Sequence, residues 1–211
     1  MAPQGTSPAG ASPVASARGE ATRVAILAAG LSRFTAYGYR RTSMDDIAAA
    51  AGCSRATIYF HFGTKEEVFR ALAQHQHDLA LEAMRAASLA EHADVGARVL
   101  AMLEARFGGF VALAHGSPHG AEILAEGGRV SADIVAAAHA QTLALLGATL
   151  RAAAKAGELD LKAAGLSAPA AAQAILDGAH GAKTDAALTP DAYRRRLRAV
   201  VRLLVRGLSP A

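Results

Sequence analysis

Cysteine occurs once in these 211 residues, at Cys53, and tryptophan does not occur at all. One thiol excludes an intrachain disulfide, so the fold must stand on packing, and a reducing compartment suits it. Aromatics make up only 5% of the chain, so a core has to be assembled mainly from Ala, Leu and Val. No convincing alternation of apolar and polar residues between turn signals is present, which argues against sheet. Ala-rich sequence with few β-branched runs favours helix instead. No apolar run reads as long enough to span a bilayer. The first residues lack the charged start and apolar centre of a secretion signal. A Gly-rich phosphate loop and a nucleophile elbow are both missing. These absences point to an all-α, soluble, cytoplasmic protein that is not an enzyme, with no catalytic residues, no cofactor and no membrane partner.

What is there is apolar and mildly basic. Hydrophobic residues are 52% of the chain and the formal net charge is +4, with a pI near 9.6. The excess is uneven. Residues 1–70 carry eight Lys and Arg against five Asp and Glu; the remainder carries fourteen against thirteen. A partner with phosphate charge would therefore meet the N-terminal third.

That third holds the most specific stretch, TSMDDIAAAAGCSRATIYFHFGTK, from Thr42 to Lys65. Ser43-x-x-Asp46 and Thr64-x-x-Glu67 are capping-box patterns at two helix starts. Ile47, Ala48 and Ala51 form a short apolar stripe at helical spacing. Gly52 can take the positive φ that closes a helix tightly. Ser54 then caps a second short helix. Ile58 falls where it packs back on Ala48, which leaves Arg55, Ala56, Thr57, Tyr59 and His61 facing outward. Two short helices around a tight turn, the second presenting Arg, Thr, Tyr and His together, is the logic of a helix-turn-helix that places its second helix in the DNA major groove. A plain helical hairpin would not explain that outer face.

From Ile26 to Leu72 the chain resembles the N-terminal domain of the tetracycline-repressor (TetR) family. The run Gly52 to Lys65, with Tyr59, His61, Phe62 and Lys65 in register, carries the likeness best. Over the rest the likeness is architectural only. The resemblance implies about nine helices: an N-terminal three-helix helix-turn-helix domain, then a C-terminal helical ligand-binding and dimerisation domain. On this reading residues 1–20, rich in Pro, Gly, Ser and Ala, are a disordered arm, residues 21–66 the DNA-binding domain and residues 67–211 the effector and dimer domain. The arm could also carry Arg18 and Arg23 to an adjacent minor groove. Helices are expected from about Ala21 to Tyr37, Thr64 to Ala87, Asp94 to Ala114, then to about Glu126, from a Ser131 cap to Ala156, from Ala168 to His180, and from a Thr189-Pro190 start to Gly207.

Carried over residue by residue, the resemblance implies DNA contact by Thr42, Ser43, Arg55, Ala56, Thr57, Tyr59, His61 and Lys65. Thr42, Ser43 and Lys65 would meet phosphate at helix starts. Arg55, a planar fork that fits guanine O6 and N7, is the base reader. Cys53 stands in a turn position that suits a small apolar residue, with a redox switch as the other reading. An effector pocket is expected among Met102, Leu103, Arg106, Phe107, Phe110, His115, His119, Glu122, Ile134 and His139, with Leu124 and Gln141 also candidates. A dimer interface is expected from Ile175, Tyr193, Leu197, Val200, Val201, Leu204 and Val205, since the last two long helices of each family subunit form a four-helix interface. The histidines show no helical zinc spacing apart from His115 and His119, so no metal is assigned. The function implied is a ligand-responsive transcriptional regulator, a repressor by family habit. It would bind a palindromic operator on the bacterial nucleoid as a homodimer and be released by a small-molecule effector. The competing reading is a helical small-molecule or metal-binding protein whose DNA-reading head is vestigial.

Overall fold

The computed structural model describes residues 13–183 and 189–210, and among these the chain forms nine helices and no strand. In chain order they are α1 (Pro13–Tyr37), α2 (Met44–Ala50), α3 (Arg55–His61), α4 (Lys65–Leu89), α5 (Val95–Gly116), α6 (Gly120–Val130), α7 (Ala132–Lys155), α8 (Ala168–Gly181) and α9 (Pro190–Arg206).

The helix boundaries follow from local chemistry. Ser43 accepts from the Asp46 amide while the Asp46 carboxylate accepts from the Ser43 amide, a complete capping box at the start of α2. Ser54, Thr64 and Thr189 each accept from the amide three residues on. Between α2 and α3 the turn is closed by two amides. Cys53 donates to Ala48 O and Gly52 to Ala49 O, with Gly52 at φ +65°. This is the Schellman pattern, and its left-handed position favours glycine.

Three expectations need correction. Helix α1 starts at Pro13, inside the stretch read as a disordered arm. Pro suits a first helical position, and a helix already nucleated extends through Ala-rich sequence at small cost. Arg18 lies exposed on that helix, and the Arg23 guanidinium sits 5.5 Å from the Phe62 ring centroid, so neither belongs to an extended arm. Residues 1–12 lie outside the described residues. Second, Ser131 stands at the start of α7 but makes no capping bond; its hydroxyl is buried without a partner. Third, α7 is long and apolar enough by length and composition to cross a membrane. Its Leu146, Leu150 and Ala153 are instead packed in the protein core.

Two apolar cores result. The first joins Ile26, Leu27 and Phe34 of α1, Ile47 of α2, Ile58 of α3, and Val68, Phe69 and Leu72 of α4. The second joins Met84, Val99, Met102, Leu103, Leu146, Leu150, Ile175, Leu176, Tyr193, Leu197 and Val201. The cores do not divide the chain at one point. Helix α4 enters both, and Ile123 and Val130 of α6 pack in the first.

The joint between the two regions is also polar. Arg70 on α4 grips Asp133 with two nitrogens, at 2.9 and 2.7 Å, and reaches Val130 O. Ser117 donates to Thr35 O at 2.7 Å. His119 and Glu122, 3.1 Å apart, close over Gly38, where an added Cβ would stand 3.0 Å from both side chains.

Candidate nucleic-acid interface and effector cavity

Helix α3 presents its side chains by geometry alone. Ile58 is fully buried, which fixes the inner face. Arg55, Ala56, Tyr59 and Phe60 are exposed, and Thr57 and His61 are half-buried. Arg55 is held at rest by Asp45 at 2.9 Å and lies over the Tyr59 ring. An exposed pair of this kind contributes little to stability and opens readily. Thr57 shares a 2.8 Å bond with the Ser54 hydroxyl. Ser43 is exposed, its hydroxyl donating to Asp46.

Two expected phosphate contacts are turned inward. Thr42 is 3% exposed, and its hydroxyl donates to Gly38 O at 2.9 Å. The Lys65 ammonium donates to Tyr39 O and Thr42 O, both at 2.8 Å, and reaches Arg40 O at 3.4 Å. It also stands 4.5 Å from the Tyr39 ring centroid. Burial pulls its pKa down. An ammonium has three protons to donate, and carbonyls of the α1–α2 turn take them, so Lys65 braces the head. Phe60, 86% exposed, was missed by sequence reasoning because an aromatic reads as core. Its spacing of four from Ala56, itself read as outward, was the available signal.

The second feature is a cavity of about 340 Å³ in the C-terminal region. Its walls come from α4 (His77), α5 (Arg106, Phe107, Phe110, Val111, Ala114, His115), α6 (Leu124, Gly127, Gly128), α7 (Val135, His139, Thr142) and the end of α8 (His180, with Lys183 just beyond). Glycine at 127 and 128 keeps the α6 wall open, since an added Cβ there meets nothing within 4 Å. The guanidinium of Arg106 donates from Nε to Thr142 Oγ1 at 2.8 Å and from Nη2 to His77 Nδ1 at 3.1 Å. Because Arg only donates, His77 must be neutral with its proton on Nε2. Burial and the neighbouring Arg106 hold His77 at a pKa of about 4. Burial, with Lys183 beside it, does the same for His180. Burial lowers Arg106 to about 10 and Lys183 to about 8. His139 and His180 stack at 5.6 Å between centroids, and Phe107 meets His180 edge-on.

Residues 26–72 match the family model described as bacterial regulatory proteins, tetR family. The chain carries a TetR-family DNA-binding domain. Over 67 residues it is 43% identical to the HTH-type transcriptional regulator SrpR of Pseudomonas putida. That match covers 31% of this chain and 32% of the relative, so the chain spans about a third of that relative's length. The whole fold is similar to SmeT, the repressor of the Stenotrophomonas maltophilia multidrug efflux pump SmeDEF. There the TM-score is 0.66 at 22% identity, over 91% of this chain and 92% of that one. SmeT in complex with triclosan matches with a TM-score of 0.65 at 22% identity, over 90% and 92% of the two chains. The architecture is thus TetR-like throughout: a helix-turn-helix domain followed by a helical C-terminal domain.

Within this TetR-like fold the other residues singled out in the sequence scatter. Arg106, Phe107, Phe110, Leu124, His115 and His139 meet at the cavity. Met102 and Leu103 are completely buried in the second core, one turn too early on α5. His119 and Glu122 belong to the joint over Gly38. Ile134 and Gln141 do not line the cavity; Val135 and Thr142, each one residue on, do. Thr142, His180 and Lys183 were missed, because they converge from separate parts of the chain, and His77 was weighed only among the scattered histidines.

The expected dimer stripe is mostly spent inside the subunit. Ile175, Tyr193, Leu197, Val201 and Val205 are all at most 6% exposed and pack in its own core. Val200 and Leu204 are half-buried and pack over Gly178, where an added Cβ would lie 2.6 Å from Val200 Cγ1. The outward apolar residue of α9 is Leu203, 74% exposed.

Proposed function

We propose that this protein is a ligand-responsive transcriptional regulator, a repressor that binds a palindromic operator as a homodimer and releases it when a small molecule fills the cavity. One observation carries the reading: helix α6 serves two sites at once. Ile123 and Val130 pack in the core of the DNA-binding domain, while Leu124, Gly127 and Gly128 form a cavity wall. An occupant that bears on α6 therefore bears on the reading head, through the Gly38 joint and the Arg70–Asp133 grip. Two recognition helices must stand about 34–36 Å apart to enter successive major grooves, so a shift of a few ångströms at each head is enough for release. The triclosan complex of SmeT supports ligand response in a protein of similar fold.

In this reading Arg55 reads a guanine, Ala56 and Phe60 meet thymine methyl groups, and Ser43, Tyr59 and His61 meet the backbone. Subunits pair through the outer faces of α8 and α9. Leu203 and Ala199 are exposed there, and Ala170 and Ala174 offer a smooth surface on α8.

The test is fluorescence anisotropy with duplex DNA from upstream of the protein's own gene, over a series of salt concentrations. Tight, sequence-selective binding that weakens steeply with salt is expected. Weak binding, equal for this duplex, scrambled DNA and the winners of a random-sequence selection, would instead favour the reading of a small-molecule-binding protein with a vestigial head. For the metal version of that reading, no group of three or more His, Cys, Asp or Glu stands together among the described residues.

A further inference from the structure

The cavity is apolar in outline, yet it carries two cationic side chains. Arg106 is 4% exposed, and its Nη1 has no hydrogen-bond partner. Its bonds go to a hydroxyl and a neutral imidazole, neither of which balances its charge. The Lys183 ammonium stands 3.8 Å from the centroid of Phe107, and the Arg106 guanidinium 5.2 Å from that same centroid. Both cations therefore stand close to one ring. No Asp or Glu lines the cavity among the described residues. A buried cation without a counter-charge is costly, and proteins ordinarily pair it or leave it in water. The depressed basicity of both groups reports that cost. A purely structural Arg would be expected to place all its donors in bonds. Here one buried nitrogen is left without a bond, on a side chain that lines the cavity.

We propose that the cavity takes a small amphipathic organic anion, its acidic head seated between Arg106 and Lys183 and its apolar body laid against Phe110, Val111, Leu124 and Val135. Thr142 and the histidines complete the polar end, and the glycine wall of α6 faces the body. At about 340 Å³ the space lies at the low end of the ~300–1,000 Å³ common for ligand pockets. That size suits a body of two or three rings or a medium-length chain rather than a nucleotide cofactor. The anion supplies a counter-charge that the described cavity lining does not, so its binding is strengthened by low local dielectric and by charge-assisted bonds to a guanidinium already desolvated. This inference names the effector class for the regulator proposed above and rests on that cavity being the effector site.

A matched pair of probes tests it without DNA. Anilinonaphthalene sulfonate and its uncharged parent, N-phenylnaphthylamine, share an aromatic body and differ by one anionic group. Fluorescence titration of the full-length protein is expected to show the sulfonate bound about tenfold or more tightly than the parent. Arg106→Met is expected to remove most of that preference. Lys183→Met should reduce the preference part-way, and circular dichroism checks that both variants are folded. Equal affinity for the two probes, failure of both to bind, or a preference that survives Arg106→Met would each overturn the proposal. DNA release is read separately by anisotropy. Arg106-dependent anion binding that leaves operator binding untouched would refute the regulatory reading and spare the anion site.

Discussion

The helix-turn-helix head and the C-terminal region handle buried polarity in opposite ways. In the head, the Lys65 charge is spread over the carbonyls of the α1–α2 turn, Thr42 bonds back to Gly38, and Ser43 and Asp46 close on each other. The exception is Arg33 Nε, buried without a bond although its Nη2 lies 4.0 Å from Asp46. In the C-terminal region Arg106 Nη1, Ser131 Oγ and Tyr193 Oη are all buried and unpaired. Polar satisfaction rigidifies, and its absence marks a place that another molecule can complete. The difference shows where the fold satisfies its own buried polar groups and where it leaves them without partners.

The largest effect should come from breaking the link between the two regions. An added Cβ at Gly120 would stand 2.0 Å from Leu113 O, and backbone cannot yield as a side-chain end can. Gly120→Ala is expected to displace α6 from α5 and cost about 3 kcal/mol or more. Urea unfolding would measure the loss, and DNA affinity should fall with it. A variant as stable as the parent would mean that the α5–α6 contact is soft and that α6 does not transmit.

Next, the same type of substitution should act with opposite sign in the two regions. Lys65→Met leaves the turn carbonyls without their donor, and about 2–3 kcal/mol of stability should be lost. Its salt slope for DNA should change by less than one full phosphate contact, because the ammonium is already spent internally. Arg106→Met removes an uncompensated buried cation and replaces it with an apolar chain of similar length. The ligand-free protein should be unchanged or gain about 1 kcal/mol. If both variants lost stability equally, the contrast between a satisfied head and an unsatisfied cavity would fail. Arg55→Ala, on the outer face of the head, should leave stability nearly unchanged and cost about 1–3 kcal/mol of discrimination at one operator position.

These assignments separate what the sequence carries from what only the fold carries. The capping box at Ser43, the turn at Gly52 and the inward Ile58 were legible because each is local: a side chain, its own amides, and residues within one turn. Lys65 was misread because its partners lie 23 to 26 residues earlier. On α5, periodicity identified an inward face but not its occupant. Met102 and Leu103 meet only core, while Phe107, in the same core, and Phe110 one or two turns later line the cavity. The α9 stripe posed the same problem, since an apolar face is equally suited to its own subunit or to a partner. Ser131 and Thr142 show the limit for polar residues. Both are completely buried, but Thr142 Oγ1 accepts from Arg106 and donates to Ala138 O, whereas the Ser131 hydroxyl has neither bond.

A further test of the contrast is the response to acid. His77 and His180 titrate near 4 in the folded protein against an ordinary 6.5. The groups around them are Arg106, Lys183 and His139, with Asp78 and Asp177 pulling weakly the other way. Between pH 6.5 and 4 the unfolded chain binds protons at these sites and the folded chain does not, so stability must fall as pH falls through that window. Above 6.5 the contribution is complete. In the head, the Asp46 carboxylate is held below its ordinary 3.8, first by its hydrogen bonds from Ser43, so its contribution is lost only in stronger acid. Thermal melts at pH 7, 5.5 and 4.5 should therefore show a decline that the double variant His77→Gln, His180→Gln flattens. An equally steep decline in that variant would place the acid-sensitive groups outside the cavity. A bound anion should blunt the same decline, because it favours protonation of the very histidines that the empty site keeps neutral.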